Sequence, residues 1–306
     1  MNDRGSRARL LAESAALIVL LASTWLIVGA SLQGASVAVV SAGRTGFAAL
    51  GLSALTWWSA SRAVASTDTE DLAVAPAYRW WQLLLLALTG VTAYTVLSTI
   101  AIHLAGPALP TLVLALTPAV VLAAESVPAR ARPPGLAIAG TGLAVAGAVL
   151  YVIPRLAGSL GRDVALGAVA AVAAMLSMAF YTIYFATVNR HHRGAMAPRI
   201  MPVFAVGAIP LVVWAATDIA GGASVGWPVI GMLAFLGIVI YVPAYLLQHR
   251  ILLSGGPSYA ALLGLAVPPL VGVSSAMLHL SLYPTPLQIA GTAVTLLGMV
   301  IVIRQR

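Results

Sequence analysis

The chain has 306 residues, 61% of them hydrophobic and 8% charged, with 16 Lys and Arg against eight Asp and Glu, and a mean hydropathy of +1.00. Soluble domains carry about 25% charged residues, so these figures exclude a soluble globular protein and predict an all-α membrane protein whose function sits in the bilayer. Cysteine and lysine are both absent, which excludes disulfides, thiolate nucleophiles and Cys-ligated metals and, for lysine, a retinal Schiff base.

Ten apolar runs are long enough to cross ~30 Å of hydrocarbon, which takes ~20 helical residues. The first, 10–30, follows the basic stretch "MNDRGSRAR" and is too long for the core of a secretory signal, so it reads as a retained helix. The second, 36–60, holds Arg44, the one charge well inside an apolar run. After the largest gap, 61–77 with "STDTEDLAVAP", come 78–104 with Tyr94 and Ser98, then 107–125, which enters on "GPALPTLVLALTP". The runs 134–154, 163–188 with Tyr181 and Tyr184, 197–217 and 227–249 with Tyr241, Tyr245, Gln248 and His249 follow. Last are 257–280, entered through "GPSYAALLGLAVP", and 286–303. No gap holds a soluble domain.

Sorting the arginines by loop orients the chain. With the N-terminus inside, thirteen fall in cytoplasmic segments and only Arg155 and Arg162 in outer loops, with Arg44 left within a helix. This is the positive-inside asymmetry. Both termini are then cytoplasmic, and the net charge of +8 reflects topology rather than nucleic-acid binding.

Internal similarity divides the chain in two. Gly106-Pro107 is followed by Pro118 eleven residues after its proline, and Gly256-Pro257 by Pro268 at the same spacing. "IAGT" at 138–141 recurs at 289–292, and Gly140 and Gly147 are matched by Gly291 and Gly298. The halves, 1–156 and 157–306, hold five helices each, and an odd number forces the second to enter the membrane the other way up. Inverted repeats are typical of secondary transporters, whose sites lie near the midplane where the repeats meet. Pro118 and Pro268 lie about midway through their helices and leave the carbonyls of Leu114 and Gly264 without helical donors. With the Gly-Pro turns they form a candidate set of paired hinges.

Ten helices as inverted five-helix repeats, an Arg early in the second helix, the Gly-Pro turns, the mid-helix prolines and the "IAGT" glycines together resemble the drug/metabolite transporter superfamily, EamA-type. Within it the chain is most similar to bacterial aromatic and neutral amino-acid exporters of the YddG kind. Members often end the fourth helix with Glu and a basic residue, whereas here Glu125 is followed by Ser126, Val127 and Pro128. The resemblance implies a central cavity lined mainly by helices 3, 4, 8 and 9, with helices 1 and 6 contributing and helices 5 and 10 peripheral.

The sixteen Trp and Tyr residues separate by depth. Trp57, Trp58, Tyr78, Trp80, Trp81, Tyr151, Trp214, Trp227 and Tyr283 fall at helix ends, where the headgroup belt attracts such rings. Trp25, Tyr94, Tyr181, Tyr184, Tyr241, Tyr245 and Tyr259 fall deeper. Tyr94 with Ser98, Tyr181 with Tyr184, and Tyr241 with Tyr245 and His249 are three or four apart and so share helix faces. The candidate substrate-binding set is Trp25, Arg44, Tyr94, Ser98, Tyr181, Tyr184, Tyr241, Tyr245 and Gln248. The competing role for each hydroxyl is a bond between helices. Arg44 has two readings open to it: attraction of a substrate carboxylate, or snorkelling and bonding to backbone carbonyls.

No Asp or Glu lies mid-membrane, since Glu13 and Glu125 are near cytoplasmic helix ends. A proton-coupled pump ordinarily needs such a relay, although His103, His249 and His279 remain as candidate proton carriers. Metalloprotease and nucleophile-elbow motifs are missing, so neither an enzyme nor a cofactor or metal site is expected. The expected function is export of aromatic and other neutral amino acids across the bacterial inner membrane by alternating access, as facilitated diffusion. The alternatives are a proton-coupled exporter of drugs or other small metabolites, and a channel-like pore. The expected partners are the amino-acid substrate and membrane lipid, with no nucleic acid, and the assembly a monomer or weak dimer.

Overall fold

The computed structural model describes residues 3–65, 77–105, 110, 113–129, 134–156, 163–192, 194–277 and 284–303, and every regular element among them is helical. Helix α1 spans Asp3–Ser31 and α2 Val37–Ala65. Helix α3, Trp80–Ala105, contains a π-helical stretch at Ala87–Ala93. Then come α4 (Thr117–Ala129), α5 (Gly135–Leu156), α6 (Val164–Asn189) and α7 (Met196–Ala220). A helical run from Trp227 to Met277 carries a second π-helical stretch, Phe235–Tyr241, and is broken at Gly256, with φ 81° and ψ 165°. We label residues 227–255 α8 and residues 257–277 α9; α10 is Pro286–Ile303.

Seven helical segments among the described residues are long and apolar enough to cross a membrane: parts of α1, α2 and α5, the whole of α3, α6 and α7, and the 45-residue stretch Trp227–Val271. At ~1.5 Å per residue that stretch would extend ~68 Å if straight, over twice the hydrocarbon thickness. Gly256 is where it turns, in a left-handed conformation that favours glycine. The outward faces are apolar, with Leu50, Val169 and Ile209 well exposed. The architecture is that of a multi-pass membrane protein.

The tightest helix pair is α5 with α10. A Cβ on Gly298 would stand 2.4 Å from the Ala144 nitrogen and 2.6 Å from the Gly140 oxygen, and one on Gly147 would stand 2.4 Å from the Thr295 nitrogen and 2.6 Å from the Gly291 oxygen. Small residues let backbones approach this closely in a membrane, so the two "IAGT" helices interlock through their glycines. Tyr151, anticipated at the headgroup belt, is instead buried beside Gly291 in this interface. Elsewhere α2 packs on α7 and α8, α3 on α6 and α7, α1 on α8 and α9, and α4 on α6. Ser36 caps α2 by accepting from the Val39 N–H, and donates to the Asp218 carboxylate near the end of α7.

The two π-helical stretches share a sequence signature, Trp followed by Gly ten residues on and Tyr four beyond it: Trp80, Gly90, Tyr94 and Trp227, Gly237, Tyr241. Each glycine admits a neighbour that a side chain would exclude. A Cβ on Gly90 would lie 2.1 Å from the Tyr181 ring, and one on Gly237 would lie 2.8 Å from the Ala48 nitrogen.

The prolines differ from the mid-helix kinks expected. Pro118 and Pro268 are each the second residue of a fresh helical segment, Thr117–Ala129 and Val267–Met277, where a missing N–H has little cost. A turn at residues 115–116 precedes the first and a 3₁₀ turn, Gly264–Ala266, the second. The Leu114 carbonyl accepts from the Thr117 hydroxyl at 2.6 Å, and the Gly264 carbonyl from the Val267 N–H. Both helices are therefore interrupted, and local donors satisfy the two carbonyls. Gly256 and Pro257 form the α8–α9 turn; Gly106 and Pro107 lie outside the described residues.

Candidate central cavity

A cavity of about 180 Å³ lies among α1, α2, α3, α4, α6, α7, α8 and α9, and no described residue of α5 or α10 lines it. Of the nine candidate substrate-binding residues, the walls hold Trp25, Arg44, Tyr94, Ser98, Tyr181, Tyr241, Tyr245 and Gln248. Its volume is below the ~300–1,000 Å³ of drug-sized ligand sites, which suits a small metabolite.

Tyr184 stands apart from this group. It lines a groove between α4 and α6 with Val120, Phe180 and Ile183, stacking on Phe180 at a ring separation of 5.5 Å. On α6 the cavity-facing positions are Met178, Tyr181 and Thr182, spaced three and four apart. Tyr184 instead falls on the row of Phe180 and Thr187, the neighbouring stripe of the helix.

Aromatic rings build one wall. Tyr241, the last residue of the π-helical stretch of α8, and Tyr245, four residues on, stack at 4.9 Å and 26°, and Phe204 from α7 lies 4.2 Å from Tyr245. Below them the α8 wall is fixed by His249. Its Nδ1 is 2.6 Å from the Tyr245 carbonyl and its Nε2 2.5 Å from the Tyr181 hydroxyl. A carbonyl only accepts, so Nδ1 carries the proton, and a neutral imidazole then accepts at Nε2 from the Tyr181 O–H.

Arg44 is buried, at 5% exposure, and does not reach a surface. Nη1 donates to the Tyr241 hydroxyl (3.2 Å), and Nη2 to the Thr95 carbonyl (3.1 Å) and the Ser98 and Thr99 hydroxyls (3.4 and 3.1 Å). One α2 cation thus ties α3 to α8 at the cavity wall. Beyond the cavity, Ser14 and Tyr259 share a hydrogen bond of 3.0 Å, and Ser258 donates to the Glu125 carboxylate. These two contacts connect α1 and α4 to the start of α9. Tyr78, also anticipated at the belt, lies beneath the Arg199 guanidinium at 3.6 Å and bonds Asn189.

Several wall residues were not in the sequence-derived set. Gly90 is one, and the shared Trp-Gly-Tyr spacing marks it. Phe204, Thr24 and Thr117 also line the cavity, and no pattern in the sequence distinguishes them from ordinary helix packing. His249, read in the sequence as sharing a face with Tyr241 and Tyr245 and as a candidate proton carrier, is part of the wall. His103 is exposed, and His279 lies outside the described residues. Among the described residues no three His, Asp or Glu side chains gather closely enough to hold a metal ion.

No protein-family model and no curated protein matches this chain. A solved structure named "Crystal structure of protein" aligns over 98% of this chain and 98% of its own, with a TM-score of 0.71 and 17% sequence identity. At that identity the likeness is one of fold.

Proposed function

We propose that this chain is a carrier of the bacterial inner membrane that exports aromatic and other neutral amino acids by alternating access, driven by the solute's own gradient. The observation that carries the reading is the central cavity: stacked rings, hydroxyls and, among the described residues, one arginine, lined by eight helices and sized for a small solute. Rings pack an apolar side chain, and the few polar groups orient its polar end.

Helix packing supports the ten-span inverted repeat, with halves 1–156 and 157–306. Exchanging each helix for the one five places away turns α1·α8 into α6·α3, α2·α8 into α7·α3 and α1·α9 into α6·α4, all of which occur. The pairs α2·α7 and α5·α10 map onto themselves. The π-helical stretches of α3 and α8 and the interruptions before Pro118 and Pro268 pair in the same way. On the orientation from the arginines, Ser14–Tyr259 and Ser258–Glu125 lie toward the cytoplasm and join helices that alternation would separate. Gly256 with Pro257 and the two interruptions are the proposed hinges.

Passive transport fits the wall chemistry, since no described carboxylate lines the cavity and both nitrogens of His249 are engaged. In this reading the chain acts without a cofactor and performs no chemistry on its solute. Purified protein in liposomes loaded with unlabelled L-phenylalanine is expected to accumulate the labelled form transiently, saturably and equally with or without a pH gradient. Linear flux that unlabelled amino acids do not compete would instead indicate a pore.

A further inference from the structure

Arg44 is a buried charge without a buried counter-charge among the described residues. Its four hydrogen-bond acceptors, on Thr95, Ser98, Thr99 and Tyr241, are neutral, and its Nε has no partner among the described residues. A guanidinium keeps its charge in proteins, and a desolvated charge is strongly unfavourable unless it is paired.

Four of the chain's own eight carboxylates are engaged elsewhere. Glu13 accepts from Arg9, Glu125 from Ser258 and Asp218 from Ser36, while Asp163 caps α6. The other four, Asp3, Asp68, Glu70 and Asp71, belong to the polar N-terminal and 61–77 segments of the sequence. The cavity therefore presents one positive charge and, among the described residues, no negative one.

We infer that the counter-ion of Arg44 is the carboxylate of the transported solute, and that the cavity selects amphiphilic monocarboxylates by this group rather than by an ammonium. The inference rests on the carrier reading and narrows its substrate class. A bound carboxylate neutralises the site, whereas an α-ammonium adds a second positive charge with no anionic partner. The Tyr241 hydroxyl, which accepts from Arg44, retains its own proton to donate to the anion. The ring of the solute then lies along Tyr245 and Phe204, the other end of the same aromatic wall. A deaminated acid is expected to bind at least as tightly as the corresponding amino acid, and the decarboxylated amine most weakly.

The test is a titration of the purified full-length protein with 3-phenylpropanoate, L-phenylalanine and phenethylamine, which share a ring and two-carbon arm, followed by tryptophan fluorescence and thermal shift. The expected order of affinity is propanoate at or above phenylalanine, with the amine weaker by at least about tenfold, as for loss of a charge-assisted hydrogen bond. In Arg44→Gln the propanoate is expected to weaken by at least about tenfold while the amine does not, and Arg44→Lys to recover part of the loss. Equal or tighter binding of the amine by the unaltered protein, binding of none of the three, or unchanged propanoate affinity in Arg44→Gln overturns the inference. Counterflow of the same compounds in proteoliposomes separates the two claims. The expected binding order without counterflow overturns the carrier and leaves the carboxylate site, while counterflow that favours the amine does the reverse.

Discussion

Tyr181 on α6 and His249 on α8 meet at 2.5 Å inside the bundle, the phenol donating to Nε2 of an imidazole whose Nδ1–H is taken by the Tyr245 carbonyl. The chain thereby fixes the tautomer of a histidine in the cavity wall and leaves it no vacant nitrogen. Tyr181→Phe removes the donor and strands a buried acceptor, which costs about 1–3 kcal/mol. Thermal unfolding of the purified protein should show the loss. Unchanged stability would mean that the imidazole does not depend on this bond.

The α5–α10 interface predicts a contrast between two glycines of this helix pair, one inside the contact and one outside it. Gly298→Val must push against the Ala144 and Gly140 backbones, whereas a Cβ on Gly142 meets nothing within 4 Å. Overpacking at Gly298 is expected to destabilise by about 1–3 kcal/mol or more and to reduce monodisperse yield on size exclusion. Gly142→Val should be recovered like the parent. Equal recovery of both variants would contradict the interlock.

The interruption of α4 depends on a side chain as well as on a proline. Thr117→Val takes away the hydroxyl that satisfies the Leu114 carbonyl, with an expected cost of about 1–3 kcal/mol in thermal stability. Pro118→Ala and Pro268→Ala each restore an N–H that lets the helix run on. If these sites are paired hinges, each substitution slows exchange between inward-open and outward-open states, measured by distance distributions between spin labels on α4 and α9. Exchange as fast as in the parent for both would remove the hinges from the account.

Tyr245 and Tyr184 separate the cavity from the outer groove. Tyr245 stacks in the aromatic wall, so Tyr245→Ala is expected to raise the transport KM by about tenfold or more. Tyr184 faces the α4–α6 groove, and its hydroxyl has no hydrogen-bond partner among the described residues. Tyr184→Phe should therefore leave KM within about twofold of the parent. Concentration-dependent uptake in proteoliposomes reads both, and a larger effect at Tyr184 would reverse the assignment.

Hydropathy located the helices because a membrane span is an apolar run of set length, and depth along each run brought Tyr94, Tyr181, Tyr241, Tyr245 and Arg44 to one cavity. Spacing alone could not place Tyr184, because residues three apart differ by about 60° around a helix, enough to move a side chain from one stripe to the next. Tyr151 was misplaced because depth cannot distinguish a belt residue from one packed against a glycine-rich neighbour. Pro118 and Pro268 signalled disturbed helices, but the turn and 3₁₀ segments before them depend on Thr117 and on tertiary packing. The Trp-Gly-Tyr spacing shared by α3 and α8 was present in the sequence and marks both π-helical stretches, although it carries no hint of π geometry.

Counterflow of labelled L-phenylalanine into proteoliposomes preloaded with the unlabelled form, with and without an imposed pH gradient, distinguishes a gradient-driven amino-acid carrier from a coupled pump and from a pore. A gradient-driven carrier gives a saturable, transient overshoot of the same size in both conditions, abolished by omitting the internal amino acid. Flux that follows the pH gradient, or that rises linearly and is not competed, would contradict it.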